Sequence, residues 1–191
     1  MQKKLAIFGS GSGSNAEKIC QYFTASSLVK VSLICTNNQN SFIVKRAKKL
    51  DIPLLLIKKT DLKQFNQLHA TLKKHKIDFI ILAGFLLKIP EIMVNLYHNR
   101  IINIHPSLLP KYGGRGMYGE NIHKQVLKNK EEKSGITIHF VNREYDKGEI
   151  ILQKSFVLDA LETLSTLSSK IKKLEHQHLP KTIENVINKS L

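Results

Sequence analysis

Lys4-Leu-Ala-Ile-Phe-Gly-Ser-Gly-Ser-Gly-Ser-Asn15 passes from an apolar run straight into three Gly-Ser pairs. Lys4 to Phe8 reads as a buried strand. Ser14 to Ala25 reads as a helix, with Ile19, Tyr22 and Phe23 at helical spacing. A strand, a glycine-rich turn and a helix open a βαβ unit, and the rest of the chain repeats that rhythm. Val31–Cys35, Pro53–Ile57, Asp78–Ala83 and Arg100–Asn103 read as further strands. Ser41–Leu50, with Ser41 as N-cap, reads as a helix between them. So does Asp61–His75, with Leu62, Phe65, Leu68 and Leu72 on one face. Continuous apolar strands separated by helices predict an α/β fold, a Rossmann-like, doubly wound, mostly parallel sheet covered on both faces.

The second half changes rhythm. Gly135–Val141 alternates, Gly148–Val157 is another strand, and only Asn142–Lys147 lies between them. That spacing predicts an antiparallel hairpin at the C-terminal edge of the sheet. Leu161–Ile187 reads as a C-terminal helix with a break near Pro180.

Composition sets the outer limits. The chain has 191 residues, 42% hydrophobic and 24% charged, so one globular domain with a full core is the default. No stretch reaches the roughly 18–20 apolar residues of a membrane helix. The N-terminus lacks the apolar length of a signal peptide. Two cysteines, Cys20 and Cys35, exclude a disulfide scaffold or zinc ribbon. They read as small core residues in a reduced, cytoplasmic protein. The net charge of +15 suggests anionic partners. All but four basic residues are Lys, however, and no aromatic residues interleave with a basic stripe. A solvated lysine surface that favours small phosphorylated substrates fits better than a nucleic-acid reader.

The turn Gly9–Asn15 is built for an anion. Glycines let the backbone approach closely, and free N–H groups at the helix start point at the ligand. It is neither a dinucleotide fingerprint nor a Walker loop. Ser14 stands where a third glycine belongs, no acid ends the second strand, and no Gly-Lys-[Ser/Thr] follows. A phosphomonoester is the expected ligand.

The fifth strand runs into Asn103-Ile-His-Pro-Ser-Leu-Leu-Pro110. At period two, Asn103 and His105 leave the same face, at the strand end where α/β sheets bind ligands. An amide and an imidazolium are both donors, suited to an oxygen that gains charge in a tetrahedral transition state. Asp146, in the hairpin turn Tyr145-Asp-Lys-Gly148, is a candidate partner. Near His105 it is expected to raise the imidazole pKa and keep the ring cationic.

With Gly11-Ser-Gly-Ser-Asn15, Leu82-Ala-Gly-Phe85, Ile102 to Tyr112, His139-Phe-Val141, Asp146-x-Gly148 and Leu174-Glu-His176 in place, the chain resembles the phosphoribosylglycinamide formyltransferase family. The likeness runs from about residue 4 to 180. It implies direct attack of the glycinamide ribonucleotide amine on the formyl carbon of 10-formyltetrahydrofolate, a step of purine synthesis. Small molecules are the implied partners, with no metal, nucleic acid or membrane, and a homodimer is compatible with it. It also implies one formyltransferase domain over 1–191, with a phosphate-binding half over about 1–100 and a folate and catalytic half over about 101–191.

By the same resemblance Asn103, His105 and Asp146 are catalytic, His105 as proton and oxyanion donor, Asn103 as second donor and Asp146 as its orienter. Gly13, Ser14 and Asn15 bind the substrate phosphate, and Glu175 the ribose. Leu86, Leu87, Lys88 and Ile89, with Asn103, wall the folate site. Leu109-Pro110 is expected to be cis. Lys88 and Lys172 stand where relatives often carry Arg and Gln, and the Gly113–Gly119 loop is longer than in some of them. The formyltetrahydrofolate hydrolases and methionyl-tRNA formyltransferases share the scaffold. They are expected to carry an extra N-terminal or C-terminal domain respectively, and this sequence shows neither.

Overall fold

Side-chain alternation along the strands explains the architecture. The structure, a computed structural model, describes residues 2–190. In β1 (Lys3–Phe8), Leu5 and Ile7 enter one apolar cluster, while Ala6 and Phe8 enter another on the opposite face. All four are fully buried. The same split recurs in β2 (Val29–Thr36) and β4 (Phe79–Ala83). A sheet apolar on both faces needs a helical layer on each.

The first layer holds α1 (Ser14–Tyr22), α2 (Phe42–Lys49), α6 (Glu120–Lys128) and α7 (Leu164–Lys189). The second holds α3 (Lys59–Lys63), α4 (Asn66–Lys74) and α5 (Glu91–Leu96). With β3 (Leu54–Leu56), β5 (Ile101–His105), β6 (Lys133–Phe140) and β7 (Ile150–Val157), the sheet order is β3-β2-β1-β4-β5-β6-β7. Strands β1 to β5 pair in parallel, whereas β6 and β7 join antiparallel. The Rossmann-like sheet with its antiparallel edge hairpin is therefore the observed fold.

Three local expectations change, and one helix is added. The helix expected over 61–75 is two helices, because Gln64 leaves helical geometry at φ −101°, ψ 58°. The C-terminal helix does not break at Pro180. Leu167, Ile171, Leu179, Ile183 and Ile187 form one buried stripe along it, and that packing outweighs one lost hydrogen bond. Ser41 caps α2 by position only. Its hydroxyl donates to Asn38 O at 2.5 Å and accepts no N–H from the helix. Helix α6 was not read from the sequence, since glycines precede it and charges crowd it.

Candidate active site

Neighbouring strands and α2 shape the glycine-rich turn. Gly9 N donates to Cys35 O and Ser10 N to Gly84 O, at 2.9 and 3.0 Å. The Ser10 hydroxyl donates to Asn37 Oδ1 at 2.5 Å and accepts from Leu86 N at 3.0 Å, joining three strand ends. The carbonyls of Gly11 and Ser12 are drawn away by Ile43 N (3.2 Å) and Arg46 Nε (2.9 Å). Arg46 also pairs with Glu17. Gly13 precedes α1 at φ 73°, and a Cβ there would meet Ile43 atoms, the main-chain Cα included, at 2.6–2.9 Å. The first N–H groups of α1, at Ser14 and Asn15, lack intrahelical acceptors and carry the positive end of the helix dipole. Asn15 Nδ2 donates to Glu175 Oε2 at 2.9 Å, while its Oδ1 is buried without a partner. Burial pushes the Glu175 carboxyl above its usual value, against the opposing pull of Asn15 and Lys172.

The second cluster begins with strand parity. Asn103 and His105 do share a face, and the antiparallel register sets Asn103 opposite His139 and His105 opposite Thr137. Asp146 reaches them from the turn after β6, at φ 55°. Gly148 makes that turn possible, because a Cβ there would lie 1.7 Å from Phe140 O. Asp146 Oδ2 accepts from Gly114 N at 2.9 Å. Its Oδ1 lies 3.4 Å from Asn103 Nδ2, 3.6 Å from His105 Nδ1 and 3.7 Å from His139 Nε2. Burial pushes the Asp146 carboxyl up, but the Gly114 N–H and the charge of either imidazole when protonated pull it down further, so it lies below its usual range.

The histidine tautomers follow from their carbonyl partners, since a carbonyl only accepts. His139 Nδ1–H donates to Phe140 O at 2.8 Å, leaving Nε2 to accept from Asn103 Nδ2 at 3.0 Å. His105 Nε2–H donates to Tyr112 O at 2.7 Å, leaving Nδ1 toward Asp146. His105 is buried at 4% exposure. One sequence expectation is corrected here. Burial and the neighbouring His139 lower the His105 pKa below 6.5 despite Asp146 and Tyr112 O, so the ligand-free ring is neutral at pH 7. Asn103 likewise spends its amide hydrogens on His139 and Asp146.

Both clusters open into one cavity of about 740 Å³. It brings together Gly13, Ser14, Asn15, Leu86, Asn103, His105, Asp146 and Glu175 under the 114–119 loop. Leu87, Lys88 and Ile89 lie instead on a recess of about 70 Å³ that shares Asn103 and Asp146 with the cavity. Leu109-Pro110 is cis, as expected. Cys20 and Cys35 are buried, with the Cys20 thiol pushed up to about 12, so neither is a nucleophile. No three-residue metal-ligand group occurs among the described residues, and no helix there is long and apolar enough to cross a membrane. Sequence reading assigned no role to His139 or Tyr112. The resemblance marked the His139-Phe-Val141 stretch without giving it a role, which parity on β6 and the antiparallel register supply.

A glycine-rich turn with free helix N–H groups thus lies beside an amide–imidazole–carboxylate cluster at the carboxyl ends of parallel strands, where α/β sheets bind ligands. The sequence matches the formyl transferase family over residues 3–183, and the chain belongs to that family. It is 40% identical over 182 residues to the chloroplastic phosphoribosylglycinamide formyltransferase of Arabidopsis thaliana, covering 92% of this chain and 62% of that protein. The chain thus spans about three fifths of that relative's length. It is 32% identical to the phosphoribosylglycinamide formyltransferase of Bacillus subtilis (strain 168), covering 97% and 95%. The crystal structure of the phosphoribosylglycinamide formyltransferase from Bacillus halodurans superposes with a TM-score of 0.89 at 34% identity, covering 99% and 97%.

Proposed function

We propose that the chain transfers the formyl group of 10-formyltetrahydrofolate to the amine of 5-phosphoribosylglycinamide, a step of purine biosynthesis. The shared cavity carries this reading: the phosphate-shaped turn and the Asn103–His105–Asp146 cluster open into the same space. The phosphate rests on Gly13, Ser14 and Asn15, and the ribose hydroxyls meet Glu175. The amine nitrogen then points toward β5. Leu86 to Ile89, with Asn103, flank the folate. Two buried, unactivated thiols fit a reduced, cytoplasmic setting.

In the reaction, the amine nitrogen attacks the formyl carbon and the carbonyl oxygen becomes an oxyanion. That charge raises the proton affinity of His105, which takes the proton the attacking amine loses, and Asp146 stabilises the resulting imidazolium until collapse passes the proton on. Asn103 exchanges its long 3.4 Å bond to Asp146 for the oxyanion. Collapse breaks the bond between the formyl carbon and the folate nitrogen, and the amine's proton ends on that nitrogen. A donor aimed at such an oxygen contributes about 3 kcal/mol.

The test is folate release by purified protein from a 10-formyl folate, with and without the ribonucleotide. Release that requires the ribonucleotide supports the transferase. Release without it identifies a hydrolase, and no release in either case overturns the reading.

A further inference from the structure

We propose that Tyr112 and Glu131 are a positioning pair for His105: the Tyr112 phenol, gripped by Glu131, fixes the main-chain carbonyl that takes the His105 Nε2–H. Tyr112 lies in the left-handed region at φ 58°, where a tyrosine stays only if its surroundings impose it. The restraint is visible at the far end of the side chain. Its hydroxyl donates to Glu131 Oε1 at 2.8 Å and accepts from Asn129 Nδ2 at 2.8 Å. Lys111 Nζ in turn holds both Glu131 oxygens, at 3.0 and 2.9 Å.

Asn129 and Glu131 belong to the turn between α6 and β6, which closes through Asn129 N to Gln125 O (2.9 Å) and Glu131 N to Val126 O (3.3 Å). That turn thus grips the loop that leaves β5 at the residue just before Gly113. The hold reaches the imidazole through one bond, Nε2–H to Tyr112 O at 2.7 Å. A neutral imidazole has one N–H, and an acceptor at Nε2 fixes it there. The lone pair is left at Nδ1, facing Asp146, so an incoming proton lands where the carboxylate can stabilise it. The titratable groups facing the ring are Asp146 from the hairpin turn and His139 from β6.

The Tyr112 ring packs against the core, so informative variants keep the ring and remove only the grip. Histidine ¹⁵N NMR of the ligand-free protein reads the tautomer directly, with His105 assigned by its loss in His105→Asn. Wild type should show Nε2 protonated and Nδ1 bare. Tyr112→Phe and Glu131→Ala should give averaged shifts from two exchanging tautomers. Glu131→Gln, which keeps an acceptor oxygen, should restore the wild-type pattern. In formyl transfer, the first two variants should lower kcat about 10-fold with the ribonucleotide KM within about 2-fold. Unchanged His105 shifts in both Tyr112→Phe and Glu131→Ala overturn the proposal, as does averaging that Glu131→Gln fails to reverse. The kinetic arm rests on the proposed reaction and the NMR arm does not. A wild type that shows the expected tautomer but transfers no formyl group overturns the reaction and leaves the pair standing.

Discussion

The cavity has two walls made in different ways. At the Gly9–Asn15 end the functional groups are main-chain N–H groups, and neighbours act by turning carbonyls away: Ile43 N takes Gly11 O and Arg46 takes Ser12 O. At the β5 end the groups are side chains from three elements that all lean on one carboxylate, Asp146. The first wall is set by main-chain shape, with one carboxyl, Glu175, bonded to its end at Asn15. The second is a set of coupled proton affinities, and its function changes with charge at constant shape. Substitutions should therefore act on binding and stability at the first wall, and on turnover and pH response at the second.

The sharpest test of that contrast is at the second wall. His105→Ala and Asp146→Asn should each lower turnover at least about 100-fold while ribonucleotide binding is largely kept. Near-normal turnover in steady-state assays of either variant would remove it from the chemistry. At the first wall, Gly13→Ala forces an L-residue into φ 73° against the Ile43 main chain. Urea unfolding should register a loss of at least about 2 kcal/mol. Wild-type stability in that variant would mean that Ile43 yields and the turn is soft. A milder probe of the same wall is Asn15→Ala, which should raise the ribonucleotide KM about 10-fold with kcat nearly unchanged. An unchanged KM would move the phosphate site elsewhere.

The smallest expected effect is electrostatic. His105, His123, His176 and His178 all have pKa values lowered from 6.5, chiefly by burial. The unfolded chain thus binds more protons below that value, so stability should rise with pH up to about 6.5 and then level off. Glu175 acts oppositely. Its raised carboxyl pKa makes the folded state hold a proton longer, so stability falls with pH in a window just above 4.5. Urea midpoints at pH 5 and pH 7 check the histidine sum, and His105→Ala should flatten the difference. A midpoint that falls from pH 5 to pH 7 would contradict the sign.

The two walls were also unequally legible in the sequence. The glycine turn is local, so its strand, turn and helix could all be read within 25 residues. The parity of Asn103 and His105 was readable for the same reason. Asp146 was readable as a candidate partner from its turn, whereas His139 was not. His139 faces Asn103 only through an antiparallel register that no local pattern encodes. The charge state of His105 depends on how deeply it is buried, which motif spacing does not report. Pro180 misled because local rules end a helix there, while the stripe from Leu167 to Ile187 holds it together from outside. The split at Gln64 was hidden because Leu62, Phe65, Leu68 and Leu72 keep helical spacing across it.

The bond between Asn15 and Glu175 joins positions 160 residues apart. During synthesis the glycine turn is made early, whereas its carboxylate partner arrives with α7, near the end of the chain. A partly synthesised polypeptide can pair its parallel strands and still lack one side of the cavity. Completion of the cavity thus waits on α7, and a ribosome-bound intermediate that stops short of Glu175 leaves Asn15 without its carboxylate partner.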